Sequence, residues 1–388
     1  MDFTPTEEQA AARGLAGRIF GDLATHERLT AAGTGSDPAL WKALCAAGLV
    51  TAVRDTGLLG LVLLLEEQGR TTAQAPFAAS CVYGLLAVSA HGSVEQRERL
   101  LPAIGDGSAV VCGAVERAGP VRAETSAAGG SLSGVVPAVP WLRDATHVLV
   151  ADDRRRLWLV RTADAGCEPV ELTAPWAAGR LALDGTPAER LGGPGPRATD
   201  RRPVGSPRGT DQASGRRSAV DQVCDERPAD DQDRTDVVYA DVLATARTAF
   251  AGLQAGVCAG SLARAVRHTN TREQFGRPLA ARQGVQLRAA DAHLDTEAIR
   301  VTAYEAAWRR DAGLPYATHA LTAAWWASEA GHRVVHTGQH LHGGTGADLE
   351  HPVHRHFLWG RQLESYLGCG SEVLQDLGEL IAHEEGWA

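Results

Sequence analysis

The sequence predicts an α+β protein built from an N-terminal helical domain, a middle β domain and a C-terminal helical bundle. Apolar residues recur with helical spacing in residues 1–107 and again in residues 237–388. Between them, residues 108–195 hold short alternating runs separated by Gly, Pro and Asp-Asp turns, as strands do. Residues 196–236 follow neither pattern. At 388 residues, the chain is long enough to bury several cores without disulfide or metal.

Five helices are predicted in the N-terminal domain. Thr4 or Thr6 can cap the first, and Glu7 and Glu8 then lie in its first turn, where the helix dipole favours acidic residues. The other helical segments are Pro38–Ala47, Leu58–Gly69, Ala78–His91 and Ser93–Ile104. The last of these begins with a serine that can cap it and ends before a glycine.

The middle domain is predicted to be all-β. Its alternating or β-rich runs are Val110–Val115, Gly134–Val139, His147–Ala151, Leu157–Val160 and Arg180–Leu183. The segment 196–236 that follows has eight arginines and nine acidic residues, but no Leu, Ile or aromatic residue. Such a segment buries too little apolar area to offset its ordering entropy, so we predict a disordered insertion. A GC-rich reading frame translated out of register gives a similar composition, and the sequence leaves both explanations open.

Helical periodicity returns in residues 237–388. The periodic segments are 241–269, 281–311, 317–341, 352–366 and 371–384. Two breaks divide them, at Phe275–Pro278 and at Gly343–Gly346.

Composition excludes several classes of function. The net charge is −9 and Lys42 is the only lysine, so clustered positive charge for a nucleic acid is not expected. Seven scattered cysteines without a CxxC pair indicate reduced thiols and a cytoplasmic protein. The acidic N-terminus does not suit a secretion signal. The longest apolar run, Gly57–Leu65, is also too short to span a membrane.

Two motifs in the C-terminal part indicate a phosphate-bearing ligand. The first is Arg272–Leu279, REQFGRPL, and the second is Gln339–Gly346, QHLHGGTG. A guanidinium binds phosphate bidentately, and the Phe-Gly that follows Arg272 lets the backbone approach closely. The second motif offers backbone amides to an anion. Taken alone, its glycines also suit an ordinary helix C-cap and turn.

With this spacing, and in this order of domains, the two motifs resemble those of the acyl-CoA dehydrogenase family of flavoproteins. The N-terminal part agrees at Glu7–Gln9, Leu40–Leu49, Glu66–Arg70 and Gly92–Gly107. The resemblance covers nearly the whole chain except residues 196–236. It implies a helical domain, a β-barrel-like middle domain and a C-terminal four-helix bundle.

The resemblance implies FAD as cofactor, with the two motifs contacting its adenosine diphosphate end across a subunit interface. The cofactor-binding residues carried over are Arg272, Gln274, Phe275, Gln283, His340, His342, Gly343, Gly344 and Cys369. The protein is therefore expected to be a homo- or hetero-oligomer, with a tetramer as the expected size. The resemblance also implies a role in lipid or secondary metabolism. An acyl-CoA or an acyl carrier would supply the substrate, and electron-transfer flavoprotein or another acceptor would take the electrons.

The residue that should abstract the substrate proton is missing. The family's glutamate lies seventeen residues after the one that matches Glu350, and an ungapped count from there reaches Leu367. Some members carry the base beside an arginine that matches Arg247, and that place holds Ala246. Arg247 itself is expected to line the thioester pocket. Glu364, about one helical turn before the vacant position, is a weak alternative base.

The residues expected to face the flavin ring also differ from those of the family. A Thr-Glu-Pro-x-x-Gly-Ser-Asp loop is shortened to Val115–Pro120. Ala138–Pro140 stands where a Trp-Ile-Ser/Thr segment normally donates to the flavin, and proline has no N–H to donate. The family's Pro-Glu-x-x-Gly-Gly stretch is replaced by Arg54–Gly57. Seven histidines lie in His332–His356, but no ligand set is complete, so we expect no metal.

The sequence therefore favours an FAD-associated oxidoreductase that desaturates an acyl thioester, either alone or only within a hetero-oligomer. Two alternatives stay open. In one, the chain is a non-catalytic subunit that completes a neighbour's FAD site. In the other, it oxidises a non-CoA substrate with Glu364 or a water as base. Neither the substrate's chain length nor the electron acceptor can be read from the sequence.

Overall fold

The computed structural model describes residues 3–115, 121–126, 129–192 and 231–384. Helices form the first and last of these regions and a sheet lies between them, in the predicted order. The N-terminal helices are α1 (Glu7–Leu23), α2 (His26–Ala32), α3 (Pro38–Ala46), α4 (Leu49–Thr71), α5 (Phe77–Ala79), a π-helical segment (Ser80–Leu86), α6 (Ala87–His91) and α7 (Val94–Gly105). Of the two candidate caps for α1, Thr6 is the one used. Its hydroxyl accepts from the Gln9 N–H, and the Gln9 side chain accepts from the Thr6 N–H.

The middle domain forms one sheet in the described residues. Its strands are β1 (Val111–Ala114), β2 (Arg122–Ser126), β3 (Gly129–Val139), β4 (His147–Ala151), β5 (Leu157–Arg161), β6 (Gly166–Pro169) and β7 (Gly179–Arg190). The spatial order is β1-β4-β5-β7-β3-β2, with β6 also pairing to β7. Only the β1–β4 pair is parallel among them. The five predicted runs are all strands, and β2 and β6 are strands that the sequence pattern did not indicate.

The C-terminal part is a helical bundle with one small hairpin. Its elements are α8 (Asp231–Thr271), β8 (Glu273–Gln274), β9 (Arg277–Pro278), α9 (Gln283–Asp311), α10 (Ala317–His342), α11 (Pro352–Leu363) and α12 (Gly370–Glu384). The predicted insertion ended at 236, and this end was wrong because α8 already begins at Asp231. Helix periodicity was hidden there by the run of acidic residues. Residues 196–230 lie outside the described residues.

Helix α8 is the central helix of the bundle. It packs against α4, α9, α10 and α11. By length and composition its stretch Thr235–Thr271 could cross a membrane, the one single helix in the described ranges that could. However, 72% of its most apolar window is buried inside the fold. Its apolar character is therefore explained by its place at the centre of the bundle.

Helix α4 is bent where the sequence predicted a helix start. Gly57 has φ 73°, in the left-handed region, and interrupts the helix. The Asp311 carboxylate, at the end of α9, accepts hydrogen bonds from the N–H groups of Leu58 and Leu59 at 2.8 and 2.9 Å. A side chain at 57 would collide with that carboxylate. The N-terminal domain is thereby fixed to the bundle across 253 positions of sequence.

A buried ion-pair cluster makes a second connection between these domains. The fully buried Glu66 carboxylate of α4 lies 3.1 Å from an Arg13 nitrogen of α1 and 3.0 Å from Nε of Arg300 on α9. Two guanidinium groups thus compensate one buried carboxylate, which is what makes its burial tolerable. These contacts fix the relative positions of the helices that surround the candidate site.

Candidate functional site

The position expected to carry the catalytic base lies in a tight turn between α11 and α12. Leu367 has φ 67°, and Gly368 after it has φ 108°. The Leu367 side chain is only 4% exposed, and Tyr366 before it is 8% exposed. The residue at the base position is thus an apolar side chain packed into the core of the described molecule.

Around this turn lies a cluster of six aromatic side chains, which we call the aromatic cluster. Its members are Tyr83, Trp141, Trp176, Phe250, Trp359 and Tyr366. They come from the N-terminal domain, the middle domain and the bundle, and each is at most 8% exposed. The cluster therefore fills the junction of the three domains.

The middle domain contributes two stacked tryptophans to the aromatic cluster. Trp141 and Trp176 have ring centroids 4.4 Å apart at 22°. Trp141 adopts φ 59°, directly after the segment Ala138–Pro140 that was counted to the flavin-facing position. Phe250 of α8 lies 6.1 Å from Trp141. Stacked and edge-on contacts of this kind each add modest stabilisation beyond the area that they bury.

Tyr366, which directly precedes the base position, joins the bundle to the aromatic cluster. Tyr366 meets Phe250 edge-on at 4.7 Å and Trp176 at 6.0 Å. Its hydroxyl lies 2.8 Å from the hydroxyl of Tyr83, which comes from the π-helical segment of the N-terminal domain. A single residue of the α11–α12 turn is thus held by both other domains.

The arginine expected to line the substrate pocket is occupied by partners within the chain. An Arg247 terminal nitrogen donates to the Asp376 carboxylate at 2.7 Å, and its Nε donates to the Leu367 carbonyl at 3.3 Å. The Arg247 side chain is 11% exposed. Ala246, at the alternative base position, is fully buried. Arg247 therefore joins α8 to α12 and to the turn.

Glu364 is directed to a different surface. Its carboxylate accepts from Arg361 and lies 3.0 Å from Nδ1 of His332. His332 lines an open groove of about 900 Å³ between α9 and α10. The structure thus pairs Glu364 with the α10 side of the bundle, while Leu367 faces the core.

The first predicted phosphate motif forms an exposed hairpin. Arg272 directly follows α8 and is exposed, and β8 and β9 then pair around a tip at Phe275 and Gly276. Phe275 has φ 54° and is 89% exposed, with the Arg282 guanidinium 5.2 Å from its ring centroid. An aromatic ring held so far out of the fold is suited to contact another molecule. Gln274 is also exposed in the hairpin.

The second motif forms an exposed turn after α10. Gly343 has φ 62°, and a Cβ added at Gly343 or Gly344 would meet no atom within 4 Å. Their backbone is therefore open to a ligand. His340 is exposed, whereas His342 is buried, and its Nδ1 lies 2.7 Å from the Gly338 carbonyl.

The remaining predicted positions are Gln283, Cys369 and the shortened loop after Val115. Gln283 is exposed at the first residue of α9. Cys369 is half-buried, and its Sγ lies 3.3 Å from the Ser371 hydroxyl. Glu116–Pro120, the shortened loop after Val115, lies outside the described residues. Within the described ranges, no group of three His, Cys, Asp or Glu side chains is arranged to hold a metal ion.

The two exposed motifs suit the diphosphate end of FAD, whereas the residues at the expected flavin position do not suit its ring. Arg272 and the amide of Gly344 suit the diphosphate, since they combine a guanidinium with a backbone donor on an accessible surface. The Gly343 N–H is already used, as the donor to the His340 carbonyl. The segment that should face the flavin ring carries Pro140, which has no N–H, and runs into the stacked Trp141. The exposed residues thus have chemistry suited to a diphosphate, whereas the residues at the expected ring position do not suit a flavin.

Comparison with known proteins decides the family. Residues 237–378 match the family model described as acyl-CoA dehydrogenase, C-terminal domain. Acyl-CoA dehydrogenase FadE27 of Mycobacterium tuberculosis is 31% identical over 98% of this chain and 99% of its own length. The chain belongs to the acyl-CoA dehydrogenase family. The predicted family and its FAD-dependent oxidoreductase class are thereby confirmed.

Two solved structures of acyl-CoA dehydrogenases with paired names are similar over the whole chain. A variant of the Tcur3481-Tcur3483 steroid ACAD is 36% identical, with TM-score 0.82, over 98% of this chain and 99% of that one. The ChsE4-ChsE5 complex from Mycobacterium tuberculosis is 28% identical, with the same TM-score and coverage. Butyryl-CoA dehydrogenase from Megasphaera elsdenii, 19% identical with TM-score 0.78 over 98% of this chain and 100% of that one, shares the fold. The acyl-CoA dehydrogenase architecture predicted for the three domains is confirmed.

Sequence reasoning named the empty base position but missed the aromatic cluster. Six side chains from six separate segments form it, and no local spacing connects them. The one available signal was composition: nine tryptophans in a chain with six phenylalanines and five tyrosines. Three of those nine tryptophans, Trp141, Trp176 and Trp359, lie at the junction of the domains.

Proposed function

We propose that this chain is the non-catalytic subunit of a hetero-oligomeric acyl-CoA dehydrogenase and that it supplies the adenosine diphosphate half of a neighbour's FAD site. The assembly would catalyse α,β-dehydrogenation of an acyl thioester carried on CoA or on an acyl carrier. Bound FAD would accept the hydride. Electron-transfer flavoprotein or another acceptor would then take the electrons.

The observation that carries the proposal is the burial of Leu367 in the core, directly after Tyr366 of the aromatic cluster. Proton abstraction needs a carboxylate within hydrogen-bond reach of the substrate. Leu367 offers no proton acceptor, and its 4% exposure leaves little surface for a thioester to contact. Arg247 is held by Asp376 and the Leu367 carbonyl. A complete catalytic site in this chain would require Leu367 to leave its buried position. It would also require Arg247 to release Asp376 and the Leu367 carbonyl.

The exposed phosphate motifs support the other half of the proposal. Arg272, Phe275 and Gly343 are presented outward, away from the aromatic cluster, and so are available to a molecule bound on a second subunit. Arg272 would bind a phosphate, and the amide of Gly344 would orient it. Two relatives at 36% and 28% identity carry paired names, Tcur3481-Tcur3483 and ChsE4-ChsE5. The word steroid in the first of these suggests a bulky polycyclic acyl thioester as a substrate to test first.

The other candidate, a chain that works alone with Glu364 as base, has less support. Glu364 is paired with Arg361 and His332 on the α10 side. Engagement by two partners leaves it poorly placed to take a proton from a substrate at the turn. No contact of the described residues favours this candidate.

Expression of the chain alone, and together with an acyl-CoA dehydrogenase encoded beside it, tests the proposal. Flavin absorbance and oxidation of a panel of acyl-CoA thioesters, including steroid side-chain thioesters, are measured for both preparations. The co-expressed complex is expected to be yellow and active, and the lone chain colourless and inactive. Thioester dehydrogenation by the lone chain would overturn the proposal.

Two substitutions in this subunit sharpen the test. Arg272→Gln in the complex is expected to lower bound FAD at least tenfold, because the guanidinium binds phosphate more strongly than a neutral amide does. Arg277→Gln changes an exposed arginine five residues further along the same hairpin and is the matched control, expected to keep the FAD content. Equal FAD content in the two variants would exclude a role for Arg272.

A further inference from the structure

Three imidazole rings pack against one another beneath the exposed glycines. His268 of α8 and His342 of α10 are stacked, with ring centroids 4.7 Å apart at 26°. His351 lies 5.1 Å from His342 on the other side of the turn. We call these three residues the histidine stack. Neither the oxidation chemistry nor the aromatic cluster uses it.

The histidine stack joins the two phosphate motifs. The backbone carbonyl of His268 accepts from the backbone N–H of Arg272 at 2.8 Å, so His268 lies one helical turn before Arg272 along the chain. His342 directly precedes Gly343, and His351 caps α11, where its Nδ1 accepts from the Val353 N–H. The turn that carries the Gly344 amide thus starts directly after His342 and leads to His351, and both of these residues belong to the histidine stack.

The surroundings of the histidine stack carry an excess of positive charge. Burial, then the neighbouring His268, His351 and Arg264, lower the pKa of His342, although its hydrogen bond to Gly338 opposes this. Burial, then Arg264 and His268, lower the pKa of His351, and His26 of α2 adds to this. Asp348 is the one described acidic group that acts on His351, and it raises its pKa. Near neutral pH His342 and His351 are therefore held in the neutral form.

We propose that the histidine stack takes up a proton when a diphosphate binds to Arg272 and the amide of Gly344, so that dinucleotide binding is coupled to protonation of this chain. The inference rests on the proposed function, because it requires the diphosphate to bind there. An added dianion opposes the repulsion from Arg264 and favours the imidazolium form. In His342, Nδ1 donates to the Gly338 carbonyl, so Nε2 is the atom that accepts the proton from solvent.

Calorimetric titration with ADP-ribose tests the coupling. ADP-ribose has the diphosphate and adenosine of FAD without the flavin ring, and as a diester its diphosphate does not titrate near neutral pH. The full chain is titrated at pH 7 in buffers of different ionisation enthalpy, which reports the protons taken up. We expect uptake of roughly half a proton and an affinity that weakens about threefold per unit of rising pH. FAD binding to the co-expressed complex is expected to have the same pH dependence.

Matched variants assign the proton to the histidine stack. His342→Phe keeps an aromatic ring in the stack and is expected to lose most of the proton uptake per ADP-ribose bound. His293→Gln changes an exposed histidine of α9, far from the turn in sequence, and is expected to leave the uptake unchanged. A near-ultraviolet circular dichroism spectrum like that of the wild type shows that the His342→Phe variant is folded.

The possible failures are distinguishable. ADP-ribose binding without proton uptake, or uptake that persists in His342→Phe, overturns the role of the histidine stack and leaves the proposed function standing. Failure of ADP-ribose to bind the chain, together with FAD binding to the complex that is unaffected by Arg272→Gln, overturns both.

Discussion

Leu367 determines at the scale of one residue what the candidate site can do. An apolar side chain suits its position, since it is buried beside Tyr366 and the rest of the aromatic cluster. The Leu367 carbonyl is also used, as an acceptor for Arg247. Restoring a carboxylate there therefore does not by itself restore a site.

We predict that Leu367→Glu leaves the lone chain inactive and destabilises it by about 3 kcal/mol, because the new carboxyl is buried among apolar groups. Urea unfolding and an acyl-CoA oxidation assay measure the two effects. Leu367→Met, which nearly conserves volume, is the control and is expected to cost under about 1.5 kcal/mol. Thioester oxidation by the lone Leu367→Glu chain would contradict this reading of the turn.

A second residue-scale prediction concerns His356. Its imidazole is fully buried in α11, with Nε2 3.0 Å from the Arg70 carbonyl, and burial lowers its pKa to about 4. The unfolded chain binds this proton below pH 6.5, whereas the folded chain does not. The stabilisation is therefore complete above pH 6.5 and is lost as the pH falls from 6.5 towards 4. It amounts to about 3 kcal/mol over that window.

Unfolding free energies measured between pH 7.5 and 4.5 check this prediction. His356→Gln, which can still donate to the Arg70 carbonyl, is expected to have a shallower loss of stability than the wild type. His293→Gln, exposed on α9, is the control and is expected to keep the wild-type slope. Equal slopes for the wild type and His356→Gln would show that His356 is not responsible.

At the scale of elements, the bend in α4 depends on a residue of another domain. The Asp311 carboxylate accepts the two N–H groups that begin the second half of α4, in the manner of a helix cap. We predict that Asp311→Ala lowers the free energy of unfolding by about 1–2 kcal/mol, because both N–H groups lose their acceptor. Asp291→Ala, an exposed aspartate of the same helix, is the control. Urea midpoints that fall equally for the two variants would contradict the capping role.

Local pattern predicted most elements, and tertiary contacts explain the rest. The five predicted strands and all the C-terminal helices have apolar spacing that is visible within one segment. Strand β6 was missed because Gly166–Pro169 is exposed throughout and is held by pairing to β7. Only the second half of α4 was predicted, because Gly57 interrupts the helical pattern and separates it from the first half. The early start of α8 was missed because acidic residues interrupt its first turns.

The candidate site was predictable to different degrees. Arg272 and Gly343 belong to contiguous motifs, so the sequence alone indicated a phosphate surface. The absence of a base at Leu367 followed from counting. The aromatic cluster beside Leu367 could not be predicted from the sequence, since its rings come from segments as distant as Tyr83 and Tyr366.

At the scale of the whole molecule, the chain combines a buried aromatic cluster with the exposed motifs that we propose hold adenosine diphosphate. Its three domains have the acyl-CoA dehydrogenase arrangement, and the aromatic cluster occupies their junction. Arg272, Phe275 and the exposed glycines lie on the surface of the bundle. A molecule of this kind can hold one end of a cofactor whose reactive end lies in another subunit, as we propose.

The ratio of FAD to protein chains in the purified hetero-oligomer tests this claim most directly. Flavin absorbance after denaturation, compared with the amounts of the two subunits from amino-acid analysis, gives the ratio. We predict one FAD for each pair of unlike chains, since only the partner subunit would hold a flavin ring. One FAD for every chain, with this chain's share reduced by an acyl-CoA, would contradict the account.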